Sequence, residues 1–187
     1  MRQINIPEFH KTLVSQNQEI SHVIESVSKQ AQEILIKSPD PGKWSIMECF
    51  EHMNILYEVY INNIKEAIGN GKEKYGYTDH FKPTLVGHYF FLSMAPNEER
   101  KPRFKIKTFK RFEPSGRNFD SIDKFRDYHR EFSELIDWIP ELNLDKIKVT
   151  SSIGNIIRFK LGDAFRIVTG HNQRHIIQVQ RALETLS

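Results

Sequence analysis

The chain has almost no cysteine: Cys49 is the single one in 187 residues. That excludes an intramolecular disulfide and any multi-cysteine zinc cluster, and it suits a reducing compartment. Excess charge is also scarce. With 27 Lys and Arg against 24 Asp and Glu, the formal net charge is +3, too small by itself to draw nucleic acid or an anionic membrane. Long apolar runs are missing. The best stretch, Thr84 to Pro96, is too short to span a bilayer and includes Gly87 and His88. The first residues, Met1-Arg2-Gln3-Ile4-Asn5, lack the apolar segment of a secretion signal, so the expected location is cytoplasmic. What is present, 39% hydrophobic and 27% charged residues, is the composition of a soluble globular chain. Its length suits one domain, 1–187, with a sizeable core.

The periodicity is helical. Phe9, Leu13, Ile20, Ile24, Val27, Ala31, Ile34 and Leu35 recur at three- and four-residue steps, which predicts a first helix over 7–37 with Pro7 in its opening turn. Ser38-Pro39-Asp40-Pro41-Gly42 is a turn. Ser45 and Glu48 have the spacing of a capping box, so a second helix starts there and is expected to close at Gly69-Asn70-Gly71, spanning 45–68. Residues 70–119 contain Pro83, Pro96, Pro102 and Pro114. They read as an irregular excursion over one end of the domain, with a short apolar helix over 85–94, and long ordered excursions often line a site. A third helix is expected over 121–139, ended by Pro140. Leu142 to Lys160 reads as a connection, with a turn at 151–155 and an extended stretch at 156–159. A fourth helix follows over 163–186. Four long amphipathic helices predict an all-α, four-helix bundle.

The densest chemistry lies in the last helix, at Gly170-His171-Asn172-Gln173-Arg174-His175-Ile176-Ile177-Gln178. His171 and His175 are four apart and share one side of the helix, one turn from each other. Such a pair is half of a metal site, because a protein-bound metal usually takes at least three protein ligands. The third candidate is His52, at the margin of the buried face of the second helix. The bland alternative is three core histidines that only hydrogen-bond. Around them, Gln178 is placed to support a ligating imidazole. Cys49, one turn before His52, is either a small core residue or a fourth ligand, and Glu48 reaches the site only if its capping role releases it. Trp44 reads as the staple of the second helix. There is no H-E-x-x-H, so a metalloprotease lacks its general base. The basic run Lys101 to Arg111 reads as a solvated face or an attractor for an anionic substrate.

Two motifs carry a family resemblance: Pro41-Gly42-Lys43-Trp44-Ser45 leading into the helix of His52, and Leu161-Gly162-Asp163 leading into the helix of His171 and His175. In order of elements the chain resembles the DinB/YfiT-like superfamily of bacterial four-helix proteins over nearly its whole length. The resemblance implies a divalent metal, zinc, nickel or iron, on His52, His171 and His175. It also implies a homodimer and a chemistry related to that of transferases using bacillithiol, mycothiol or glutathione. Relatives of the ergothioneine-forming type carry His-x-x-x-His-x-Glu, and Ile177 stands at that Glu position here. The expected function is therefore a small-thiol S-transferase acting on an electrophilic small molecule. A metal-dependent hydrolase and a non-enzymatic, stress-related helical dimer are the alternatives.

Overall fold

The computed structural model describes residues 1–101, 108–116 and 118–186. In chain order the elements are strand β1 (Ile4–Asn5), helices α1 (Ile6–Val27), α2 (Gln32–Ile36) and α3 (Ile46–Tyr75), strand β2 (His80–Phe81), helices α4 (Leu85–Met94) and α5 (Ser121–Asp137), strands β3 (Lys148–Ser151) and β4 (Gly154–Lys160), and helix α6 (Leu161–Leu186). Single 3-10 turns lie at Lys110–Phe112 and Ile139–Glu141.

The expected all-α bundle is what forms. The long helices α1, α3, α5 and α6 pack α3 against α5 and α6, and α1 against the same two. Each buries the apolar stripe predicted for it. On α1 these are Phe9, Leu13, Ile20, Ile24 and Val27; on α5, Ile122, Phe125, Phe132, Leu135 and Ile136. Burying one such side chain contributes about 1.5–3 kcal/mol, so these stripes outweigh the modest helix propensity of the β-branched residues among them. The helix starts are well specified. Asn5 Oδ1 accepts the Glu8 N–H at 3.2 Å. At α3 both halves of the capping box are made, with Ser45 N–H donating to Glu48 Oε2 at 2.7 Å and Glu48 N–H to Ser45 Oγ at 3.3 Å.

The boundaries differ from the sequence reading in five places, one of them the third helix, which ends at Asp137 and not at 139, before the 3-10 turn that contains Pro140. The first helix does not run to residue 37. It ends at Val27, where Ser28 turns both its N–H and its hydroxyl to the Ile24 carbonyl, at 2.9 and 2.8 Å, and α2 restarts at Gln32. The second helix does not close at Gly69-Asn70-Gly71 but continues to Tyr75. Gly71 is where Ile147 packs on the helix: a Cβ there would lie 2.7 Å from Ile147 Cγ1. The stop comes at Gly76, with φ at +61°. The segment 142–160 is more than a connection, because β3 and β4 form an antiparallel hairpin with a register shift between Thr150 and Ser151. The last helix starts at Leu161, two residues early. The excursion is partly ordered into α4, as expected, and β2 pairs antiparallel with β1. The basic alternation read through Arg103, Phe104, Lys105, Ile106 and Lys107 lies outside the described residues. No helix among the described residues is long and apolar enough to cross a membrane.

Candidate metal centre

The second family-like motif, Leu161-Gly162-Asp163, buckles α4 onto α6. Gly162 lies under the Phe81 ring, where a Cβ would come within 2.6 Å of Cε2. The Asp163 carboxylate is fully buried. Its Oδ2 accepts both the N–H and the hydroxyl of Thr84, each at 2.9 Å, and Thr84 in turn caps α4 through Gly87 N–H. Arg166 stands 3.5 Å from the other carboxylate oxygen and covers the Phe91 ring. Further along, Gly170 lets Ala95 approach, since a Cβ on it would lie 2.8 Å from that methyl group. The result is a short apolar helix clamped beside the two histidines of α6, with Phe90 and Met94 facing them across a cavity.

His52 comes from α3, seven residues inside its capped start. His171 and His175 come from α6. The structure brings these three buried histidines together, with one ligand atom of each within 4.8 Å of the others. Ring centroids are 5.0 Å apart for His52 and His171, 4.6 Å for His52 and His175, and 4.5 Å for His171 and His175. Every ring has an oxygen at its Nδ1. For His52 this is the Phe112 carbonyl at 2.6 Å, for His171 it is Asn172 Oδ1 at 3.4 Å, and for His175 it is Gln178 Oε1 at 3.2 Å. The Phe112 carbonyl only accepts, so His52 Nδ1 carries the proton and its Nε2 keeps its lone pair. His52 Nε2 and His171 Nε2 face each other at 3.0 Å.

That arrangement fits a cation. Two nitrogens bound tetrahedrally to one zinc ion sit roughly 3.3 Å apart, given bonds of about 2.0–2.1 Å. The protonation states agree. Burial pulls all three imidazoles below their ordinary range, most strongly His171 and His175, with mutual repulsion and the Arg174 charge adding to it. Neutral rings are the form that ligates. Oxygen acceptors behind each ring are also the usual orienting partners of metal-bound histidine.

The cavity in front of the rings measures about 100 Å³. Leu56, Phe90, Met94, Phe109 and Phe112 make it apolar, and Ser152 and Ile153 from the β3–β4 turn and Arg174 complete the wall. Trp44 is more than a helix staple. It packs on His52 and His175, at centroid distances of 4.9 and 6.1 Å.

Of the remaining candidates, Gln178 lies with Oε1 3.2 Å from His175 Nδ1. Cys49 and Glu48 do not join the metal-capable group among the described residues. Cys49 is fully buried in the apolar core, which pushes its thiol pKa far up and keeps it protonated. Glu48 stays with Ser45. Sequence reasoning missed the Phe112 carbonyl, which belongs to the backbone and leaves no mark in the side-chain pattern. Glu51 fixes that strand of the excursion by accepting from the N–H and hydroxyl of Ser115, at 3.1 and 2.5 Å, and from Gly116 N–H at 3.2 Å.

A family model described as the DinB superfamily matches residues 13–179. The chain belongs to the DinB superfamily. No curated protein and no solved structure gives a significant match. As a DinB protein it carries its family-like motifs where they position the histidine centre: one caps the helix of His52, the other clamps α4 against the helix of His171 and His175.

Proposed function

We propose that this DinB protein is a divalent-metal-dependent enzyme that conjugates a small thiol to an electrophilic small molecule. The observation that carries the reading is the set of three buried imidazoles, each offering one ring nitrogen within 4.8 Å of the others, beside an apolar cavity. His52, His171 and His175 hold the metal. Three protein ligands leave at least one coordination position for a substrate, the mark of a catalytic rather than a structural site. When bound, a divalent cation there stabilises a thiolate near neutral pH.

The rest is done by the chain. Phe112, Asn172 and Gln178 orient the rings. Phe90, Met94 and Phe112 make the wall apolar, which keeps the substrate sulfur poorly solvated and nucleophilic. The thiolate sulfur forms a bond to the electrophilic carbon, whose leaving group departs with the electron pair of the broken bond. The thiol proton goes to solvent. The protein acts in the cytoplasm and as a homodimer. The apolar surface of α4 supports the second point, since Leu85, Val86 and Tyr89 are all well exposed.

The test is metal analysis of the wild type and of His52→Ala, His171→Ala and His175→Ala after reconstitution with zinc or nickel. It is paired with conjugation of several small thiols to a chromogenic electrophile. One metal per wild-type chain, lost in each variant together with conjugation, supports the reading. Equal metal in all four proteins, or conjugation unaffected by the substitutions, refutes it.

A further inference from the structure

A second cavity lies beside Arg174 and Gln178. It measures about 370 Å³, and Asp40, Lys43, Arg100, Arg174, Gln178 and Arg181 give it its polar lining. Four cationic side chains thus surround a single carboxylate. Lys43, Arg100 and Arg181 form no ion pair among the described residues. The local excess of positive charge contrasts with a chain that is nearly balanced as a whole.

The lip of this cleft is built at a conformational cost. Arg100 is the one non-glycine residue with positive φ among the described residues, at 59°. Such a backbone is kept only where its surroundings impose it. Here Asn97 imposes it. The Asn97 carbonyl accepts Arg100 N–H at 2.9 Å, and Asn97 Oδ1 accepts Lys101 N–H at 2.7 Å. The turn is then tied to α6. Arg100 donates from Nη2 to Gln180 Oε1 at 2.6 Å, and its carbonyl accepts from Arg181 Nη2 at 2.9 Å. Each guanidinium has five N–H donors, so these bonds orient the two arginines and leave donors for a ligand. The cleft and the histidine cavity share a wall: Arg174 lines both, and Gln178 lines the cleft while it accepts from His175 Nδ1.

We propose that this cleft is an anion-binding subsite, which takes the carboxylate- or phosphate-bearing end of the same small molecule whose reactive end lies at the three histidines. The substrate is then a small thiol whose far end is anionic. The link to the thiol rests on the function proposed above, whereas anion binding in the cleft does not. Arginine forks pair with carboxylate and phosphate through two parallel hydrogen bonds, so both chemistries fit.

Calorimetric titration of the metal-free protein with citrate and with pyrophosphate tests the cleft, and the tighter of the two names the anion type. One-to-one binding is expected, weakened at least tenfold in an Arg100→Gln/Arg181→Gln double variant and retained in His171→Ala. Failure of both anions to bind, or equal binding by the double variant, overturns the proposal. The thiol link is tested on cobalt-loaded protein with glutathione and its diethyl ester, which masks both carboxylates. The sulfur-to-cobalt absorption band should appear at least tenfold earlier in the titration with the free acid, and the double variant should lose that preference. A band with no preference overturns the anionic-tail assignment and leaves the thiol reading standing. Anion binding with no band for either thiol supports the cleft and overturns the thiol reading.

Discussion

Acidification should destabilise this protein through one buried histidine remote from the metal centre. His129 of α5 is 4% exposed. Its Nε2–H donates to the Asn17 carbonyl at 3.0 Å, and its Nδ1 accepts the Tyr57 hydroxyl at 2.9 Å. Phe125 stacks on the ring at 5.8 Å. Burial lowers its pKa from 6.5 to about 4, against a smaller opposing effect of the Asn17 carbonyl. Between these values the unfolded chain binds a proton that the folded chain refuses. Stability from this group is therefore complete above about pH 6.5 and drains away as the pH falls towards 4. At 1.36 kcal/mol per pKa unit the loss amounts to about 3 kcal/mol, a large part of an ordinary domain's stability. The assay is urea unfolding of metal-free protein from pH 7.5 to 4, beside a His129→Gln variant. The variant should start less stable by about 1–3 kcal/mol, because it disturbs the bonds to Asn17 and Tyr57, and its stability should fall less with acid than that of the wild type. Parallel pH curves for the two proteins, or an NMR titration placing the His129 ring near 6.5, would refute the reasoning.

Three further outcomes are expected. Gln178→Leu removes the acceptor behind His175 and should weaken zinc binding about 10–100-fold, measured by competition with a chromogenic chelator. Gly87→Ala should destabilise the fold by about 1–3 kcal/mol, because the new Cβ would lie 2.3 Å from the Asp163 carboxylate; thermal unfolding reads this, and an unchanged midpoint would contradict the close packing of α4 on α6. Static light scattering at tens of micromolar, a concentration at which interfaces of micromolar affinity are largely formed (about −8 kcal/mol), should give the mass of two chains, and a monomer would count against the homodimer.

Much of the bundle was legible because its signals are local. The Ser45–Glu48 box, the apolar stripes and the four-residue spacing of His171 and His175 each need only a few neighbouring residues to be read. The misreadings arise where distant contacts decide. Gly69 and Gly71 look like a helix end, yet glycine inside a helix costs only about 1 kcal/mol each relative to alanine, and Ile147 packing at Gly71 outweighs it. The hairpin of β3 and β4 was only half visible, since its pairing depends on a register and a bulge. At the site, the histidines could be named from spacing and family likeness. The Phe112 carbonyl, Trp44 and the α4 wall became apparent only once residues far apart in sequence were brought together.

One contact also bears on how the chain holds its shape. His52 and His171 meet across 119 positions, and with one cysteine the chain has no disulfide to fasten such a span. A cation gripped by both would act as a removable crosslink. Because the site exists only in the folded chain, such a cation stabilises the fold by about 1.4 kcal/mol for each tenfold excess of free metal over its dissociation constant. Chelation would then loosen the whole molecule as well as empty its centre.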